Sequence, residues 1–236
     1  MKPILVHELG RRRYGEVLEL QRTLCRRRVA GELTDDLLLL VEHEPVVTLG
    51  RGTRASSLPV PEAVLAARGL EIFEVERGGD VTVHAPGQLV GYPILDLSGW
   101  RRDLHWYLRQ LEAVLIDALA GLGIGAERNP GKTGVWTGGA ARKIASIGIH
   151  VKQWVTMHGF ALNVRTELAL FDLIVPCGIP DVRMTSVARE LGAEAGSELE
   201  ESTRRALLAS FATHFERPLL LQPPGGLSEK SATRTG

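Results

Sequence analysis

Apolar residues recur at every third or fourth position in three long stretches, the spacing of an amphipathic helix. These stretches predict helices over 14–31, 103–123 and 197–215, with Asp103 placed to cap the second. A shorter segment, PEAVLAAR at 61–68, opens with proline and ends before glycine, which predicts a short fourth helix. The chain therefore has enough helix to cover a sheet.

Strand patterns lie between these helices. DLLLLVEHEPVVTLGR reads as two strands broken by a proline, and its first run is continuously apolar, as expected for a strand covered on both faces. LEIFEVERGGDVTVHAPGQLVGYPILDL adds strands around a Gly-Gly turn, and further short strands follow residue 129. We expect one α/β domain over 1–221, with a mixed β-sheet covered by helices, and a disordered tail over 222–236.

Composition narrows the functional classes. Among 236 residues, 28 Lys and Arg balance 28 Asp and Glu, so the net charge gives no support to bulk nucleic-acid binding. No signal peptide or membrane-length apolar run is visible, and two cysteines are too few for a disulfide framework or a cysteine zinc site. We expect a cytoplasmic monomer without a cofactor, a metal, a nucleic-acid partner or a membrane contact.

One of the two cysteines has an unusual setting. In LIVPCGIPDV, Cys177 stands between Pro176 and Gly178, residues that break helices and strands and can present a side chain on a rigid loop. It is either a nucleophile or a half-buried thiol that fills a gap. Cys25, in the first predicted helix, is expected only to pack.

A catalytic thiol needs a neighbouring base or cation, because a free thiol is mostly protonated at neutral pH. Lys143 stands inside the apolar strand ARKIASIGIH, where it either extends outward or loses solvent and becomes a usable base. His84 and His158 are the other candidates. Spacing alone does not choose among the three.

Two glycine-rich stretches suggest ligand contacts. In ERGGDVTVHAPGQ, Gly78–Gly79 form a turn that a ligand can approach, and Thr82 and His84 share the strand face opposite Val81 and Val83. An ordinary hairpin is the alternative.

The second stretch, GKTGVW, fails as a phosphate-binding P-loop. Ala126 stands where that motif needs glycine, and no helix is predicted after the lysine.

Taken in order, RGGDVTVHAPGQLVGYPILDL, GVW, RKIASIGIHV, HGFALNV and IVPCGI resemble the motifs of lipoate-protein octanoyltransferases. The resemblance runs from about residue 37 to residue 187 and implies the α/β fold of biotin and lipoate ligases. Ala85 departs from the glycine usual in the family, and its methyl group should narrow the turn slightly.

The resemblance implies transfer of an octanoyl group from acyl carrier protein to a lysine of lipoyl domains. Those acceptors are lipoyl domains of dehydrogenase-complex subunits and the glycine cleavage H protein. It also implies that Cys177 carries the acyl thioester and that Lys143 is its acid–base partner. The implied substrate-binding positions are Arg77, Gly78, Gly79, Asp80, Val81, Thr82, Val83, His84, Ser146, Ile147, Gly148, Gly159, Phe160 and Ala161.

Because acyl carrier proteins are acidic, arginines near the site should attract the donor, Arg77 first among them. Three other functions stay open: an ATP-dependent lipoate or biotin protein ligase on the same fold, a non-catalytic module that holds acylated carriers, and a thiol hydrolase using His84 or His158 as base.

Overall fold

A computed structural model describes residues 2–176, 182–192, 197–225 and 227. The helices are α1 Tyr14–Val29, α2 Glu62–Ala67, α3 Leu104–Gly121, α4 Val187–Leu191 and α5 Ser197–Phe215. The strands are β1 Ile4–Arg12, β2 Asp36–His43, β3 Val46–Leu49, β4 Glu71–Glu74, β5 Thr82–His84, β6 Gln88–Ile94, β7 Ala126–Asn129, β8 Lys132–Thr137, β9 Arg142–Lys152, β10 Val155–Asn163, β11 Arg183–Met184 and β12 Leu219–Leu221.

Within these ranges the strands form two sheets. The large sheet has nine strands in the order β12-β1-β2-β6-β10-β9-β8-β7, with β11 pairing parallel to β9, and the small sheet has the order β4-β3-β5. The large sheet is mixed, because β1 runs parallel to β12 and β2 while the pairs from β2 to β7 are antiparallel. The predicted α/β class with a mixed sheet is confirmed.

Helices cover both faces of the large sheet. On one face Leu38 and Leu40 of β2 pack with apolar residues of α3 and α5. On the other face Leu37 and Leu39 pack with apolar residues of α1. The continuous apolar run of β2 is therefore buried on both sides, as predicted.

The helix predictions are confirmed in detail at two positions. Asp103 caps α3 by accepting a hydrogen bond from the Trp106 backbone N–H at 3.0 Å. Cys25 lies on the buried face of α1, where it is 3% exposed and packs in the core as expected. Burial raises the pKa of its thiol.

The two ends of the chain hold strands that the sequence did not predict. β1 and β12 pair in parallel, with Ile4 opposite Leu219, and close one side of the large sheet. Beyond β12, the Gln222 backbone N–H donates to the Val6 carbonyl at 2.9 Å, and Leu227 packs against the core beside α1. The chain thus stays on the body of the domain for several residues past 221.

Several arginines pair with carboxylates of this chain. Arg11 pairs with Glu42 at 2.6 Å, Arg13 with Glu71 at 2.5 Å, and Arg28 with Asp36 at 3.2 Å. No helix among the described residues is long and apolar enough to cross a membrane.

Candidate active site

A cavity of about 310 Å³ lies between the large sheet and the small sheet, beside the start of α1. Its lining comes from the Gly-Gly turn and β5, from β9 and β10, from the start of β8 and the residue before it, and from single residues of α1 and β6. These lining residues are Tyr14, Arg77, Gly79, Asp80, Val81, Thr82, His84, Tyr92, Gly131, Lys132, Thr133, Ser146, Ile147, Gly148, His158, Gly159, Phe160 and Ala161.

Strand register brings two of the predicted motifs together. In the antiparallel pair of β9 and β10, Ser146 lies opposite Ala161, and Gly148 lies opposite Gly159. Segments that are separated in sequence therefore form one wall of the cavity. All the predicted binding positions except two line the cavity.

The two exceptions are Gly78 and Val83, which the cavity does not contact. Val83 is completely buried in the core of the small sheet, on the face that points away from the cavity. The Gly78 backbone N–H donates to the Ile149 carbonyl at 2.8 Å and joins the turn to β9. Both therefore support the cavity wall. Ala85, also buried, packs in the same core as Val83.

Arg77 organises the turn from inside. Its guanidinium donates to the Thr48 carbonyl and hydroxyl at 2.7 and 2.8 Å and to the Asp80 carbonyl at 2.7 Å. A Cβ at Gly148 would lie 3.0 Å from Arg77 Cδ, so glycine there lets the arginine lie against β9. Arg77 is only 7% exposed, and its attraction of an acidic donor stays a prediction.

Histidine and tyrosine side chains form the wall of the cavity beside α1. His84 stacks on Tyr14 with ring centroids 5.7 Å apart, and its Nδ1 lies 2.7 Å from Gln88 Oε1. Burial lowers the pKa of His84 to about 3. His43, behind this wall, contacts the Tyr92 hydroxyl at 2.8 Å, and burial lowers its pKa to about 4.

His158 completes this wall. Burial lowers its pKa, and its Nε2 lies 3.6 Å from Glu76 Oε2. His84 and His158 line the cavity, as does Thr133, whose carbonyl holds Lys143.

We expect the unfolding free energy to fall as the pH is lowered from 7 to 5. His43 and His84 stay neutral in the folded chain, with pKa values of about 4 and about 3, while in the unfolded chain they take up protons below 6.5. The unfolded state binds more protons in this window, so each histidine costs about 2 kcal/mol of stability by pH 5.

Urea unfolding at several pH values measures this effect. His43→Asn should lower stability at pH 7 and flatten the dependence on pH. A wild-type unfolding free energy that stays level from pH 7 to 5 would show that these rings are not held neutral.

Lys143 is buried beside the cavity with a defined partner. Lys143 is only 1% exposed, and its Nζ donates to the Thr133 carbonyl at 3.0 Å. Nζ also lies 5.4 Å from the centroid of the Trp136 ring. Of the two alternatives that the sequence left open, burial is the one observed.

A bulge in β9 produces this orientation. Val135 lies opposite Ala145, but the next residue of β8, Trp136, lies opposite Lys143, so Ile144 is the extra residue. Ile144 then joins Ala145 in the core beneath α3, and Lys143 turns toward Thr133 at the cavity. Simple strand alternation would have placed Lys143 on the other face.

Cys177 and Gly178 lie outside the described residues, but both flanks of their segment are hydrogen-bonded to the rest of the domain. Before it, the Val175 backbone N–H donates to the Ser57 carbonyl at 2.9 Å, and the Ser57 hydroxyl donates to Asp80 at 2.7 Å. After it, Met184 pairs with Lys143, whose carbonyl accepts from the Thr185 backbone N–H at 2.9 Å.

Sequence reasoning missed several lining residues. Tyr14 and Tyr92 come from elements that carry no local sign of a site. Gly131, Lys132 and Thr133 belong to the stretch rejected as a P-loop; that rejection is confirmed, because the stretch continues as strand β8. The described residues contain no group of three or more His, Cys, Asp or Glu arranged to hold a metal ion.

The mixed sheet, the small second sheet and the cavity between them define the class of biotin and lipoate protein ligase folds. The bi-partite lipoate protein ligase of Thermoplasma acidophilum, solved in an archaeal lipoylation system with its E2 lipoyl domain, superposes with a TM-score of 0.72 at 17% identity. The match covers 98% of this chain and 90% of that one, and it is evidence for the fold.

Sequence comparison places the chain within this class. Residues 13–213 match the family model for the lipoyl protein ligase A/B catalytic domain. An octanoyltransferase of Acidobacterium capsulatum is 47% identical over 242 residues, covering 98% of each chain. An octanoyltransferase of Myxococcus xanthus is 48% identical, and this chain spans 63% of its length. The chain belongs to the lipoate-protein octanoyltransferase family and is an acyltransferase.

Proposed function

We propose that this acyltransferase moves an octanoyl group from acyl carrier protein to a lysine of a lipoyl domain, through a thioester on Cys177 with Lys143 as the proton-transfer group. The acceptors in this proposal are lipoyl domains of dehydrogenase-complex subunits and the glycine cleavage H protein. The relatives' names support octanoyl as the acyl group. The structural observation that carries the proposal is the buried amine of Lys143 at the cavity.

The anchored flanks support a position for Cys177 at the mouth of the cavity. Pro176, its neighbour, directly follows the residue bonded to Ser57, and Met184 returns beside Lys143. Only residues 177–183 stand between Pro176 and Met184 in sequence, and Met184 pairs with Lys143 in β9. The proposal places its nucleophile in this segment.

Apolar residues of the cavity lining suit an acyl chain. Val81, Ile147, Phe160 and Ala161 are among them. An octanoyl chain has six methylenes, and their burial at ~0.8 kcal/mol each offers roughly 5 kcal/mol of binding free energy.

In the first half-reaction, the amine of Lys143 takes the thiol proton of Cys177 as sulfur attacks the donor's carbonyl carbon. The new carbon–sulfur bond forms, the bond to the pantetheine sulfur breaks, and Lys143 returns the proton to the departing thiolate. Exchange of one thioester for another is close to balanced in free energy. This step therefore needs no ATP.

In the second half-reaction, the acceptor lysine attacks the octanoyl carbonyl. A carbon–nitrogen bond forms, the bond to Cys177 breaks, and Lys143 accepts the proton of the amine and passes it to the cysteine thiolate. Conversion of thioester to amide is downhill and drives transfer. Backbone N–H groups around Gly178 are our proposed oxyanion donors.

Two further cations near the cavity suit an anionic carrier. Lys132 lines the cavity, and Arg51 is exposed and donates its backbone N–H to the Arg77 carbonyl at 3.0 Å. Within the described ranges neither side chain forms an ion pair with a carboxylate. Their charge is available to attract an acidic partner.

The proposed function predicts octanoylation of a lipoyl domain from octanoyl-acyl carrier protein with no ATP present. Mass spectrometry should find one octanoyl group on the lipoyl domain. A product formed only from free octanoate and ATP would instead identify a ligase. Free octanoate from the carrier would identify a hydrolase, and carrier binding without any product would identify a non-catalytic module.

A further inference from the structure

A second ionisable side chain lies buried behind the site, on α3. Glu112 is completely buried, and its Oε2 accepts from Arg109 Nη1 at 2.5 Å and from Arg128 Nε at 3.0 Å. A buried carboxylate is costly unless its oxygens are paired and hydrogen-bonded. The two arginines satisfy one oxygen and leave the other to a different partner.

That partner is the Thr133–Gly134 peptide group, whose carbonyl end holds Lys143. Glu112 Oε1 accepts from the Gly134 backbone N–H at 3.3 Å. Thr133, the preceding residue, supplies the carbonyl that accepts from Lys143 Nζ. A carboxylate on the helix is thus connected, through two consecutive residues of β8, to the amine beside the cavity.

The backbone of Gly134 is tightly packed against Lys143 and β9. Its φ is +121°, and a Cβ there would lie 2.7 Å from Lys143 Cε and 3.2 Å from Nζ. The same Cβ would lie 2.6 Å from the Ala145 carbonyl oxygen. The lysine chain therefore packs directly on the Gly134 backbone, and a shift of this peptide would move the amine.

We propose that Glu112 is a positioning residue, which fixes the Thr133–Gly134 backbone and thereby the location of the Lys143 amine. The inference rests on the proposed function for the chemical role of that amine. The positioning itself is a matter of geometry, because the Glu112 carboxylate on α3 determines where Lys143 Nζ lies. Ordinary helix-to-sheet packing would require no such acceptor, and an apolar side chain of similar size would serve.

Two substitutions separate these roles. Glu112→Gln keeps an oxygen that can accept from Gly134, whereas Glu112→Leu keeps the volume and removes the acceptor. Misplacement of a reacting group by about 1 Å can cost on the order of 10²-fold in rate. We expect Glu112→Leu to slow acyl-enzyme formation at saturating donor by about 10- to 100-fold, with KM nearly unchanged, and Glu112→Gln to retain most of the rate.

Asp117→Asn is the matched control. Asp117 lies on the same helix and pairs with His214 at 2.5 Å, far along α3 from the cavity, so its loss should leave the rate unchanged. Gly134→Ala, which moves the same peptide directly, should slow the reaction as Glu112→Leu does. It also tests the inference if Glu112→Leu does not fold.

A double-mutant cycle tests whether Glu112 acts through the lysine. In the Lys143→Ala background, Glu112→Leu should cause no further loss. A full additional loss there, or a loss in Glu112→Leu that appears only in KM, would contradict the positioning role.

The deciding measurement is a crystal structure of Glu112→Leu. Displacement of Lys143 Nζ from the Thr133 carbonyl supports the inference. Retention of the 3.0 Å contact overturns it, whatever the activity of the variant. Absence of any acyl-enzyme in the wild-type protein would instead count against the proposed function and leave this geometric test intact.

Discussion

Lys143→Arg should form the acyl-enzyme about 10²–10⁴-fold more slowly than the wild-type protein, although its positive charge is kept. Arginine does not give up its proton near neutral pH, so it can neither deprotonate the thiol nor return a proton to the leaving group. Lys143→Ala should lose as much. If the lysine served only to hold a thiolate by charge, arginine would restore much of the rate.

Single-turnover octanoyl transfer measures these rates, with circular dichroism confirming the fold of each variant. Lys152→Arg is the matched control, because Lys152 ends the same strand, β9, and does not line the cavity. Its rate should match the wild type. A near wild-type rate for Lys143→Arg would overturn the acid–base role.

Cys177→Ala should abolish both the covalent intermediate and transfer, a loss on the order of 10⁴ or more, because no other group replaces the nucleophile. Cys177→Ser should also fail to transfer at neutral pH, since a hydroxyl is a much weaker nucleophile than a thiolate. Radiolabelled octanoyl transfer to a lipoyl domain measures the residual rate.

The comparison variant is Cys25→Ser. Cys25 packs in the core on α1, so serine there should lower stability by about 1–3 kcal/mol while transfer continues. Transfer that persists in Cys177→Ala and stops in Cys25→Ser would reverse the assignment of the two thiols.

Strong local patterns were enough to predict much of the fold. The run DLLLLV predicted a strand buried on both faces, and Leu38 and Leu39 indeed pack on opposite sides of the sheet. Asp103 predicted the start of α3 because capping is a local interaction. β1 and β12 were missed because β1 ends in charged residues, and the three residues of β12 become a strand only through pairing with β1.

The sequence motifs that form the site could be predicted, but the orientation of several of their side chains could not. The family resemblance implied that every residue from Arg77 to His84 binds substrate. Strand alternation, however, placed Val83 on the face opposite Thr82 and His84. The structure follows the alternation, with Val83 turned into the small-sheet core.

The orientation of Lys143 could not be read from its strand. It depends on a β-bulge that places Lys143 opposite Trp136. Such a bulge is a property of the pairing between two strands. Glu112 was also invisible in sequence, where it reads as one more polar position on an amphipathic helix. Long-range packing gives both residues their environment.

Intact-mass analysis after mixing the protein with octanoyl-acyl carrier protein tests the central claim most directly. We predict one octanoyl group on the wild-type protein, placed on Cys177 by peptide mapping and removed when a lipoyl domain is added. An octanoyl group on Cys25, or transfer to the lipoyl domain with no acylated enzyme at any time, would contradict the account.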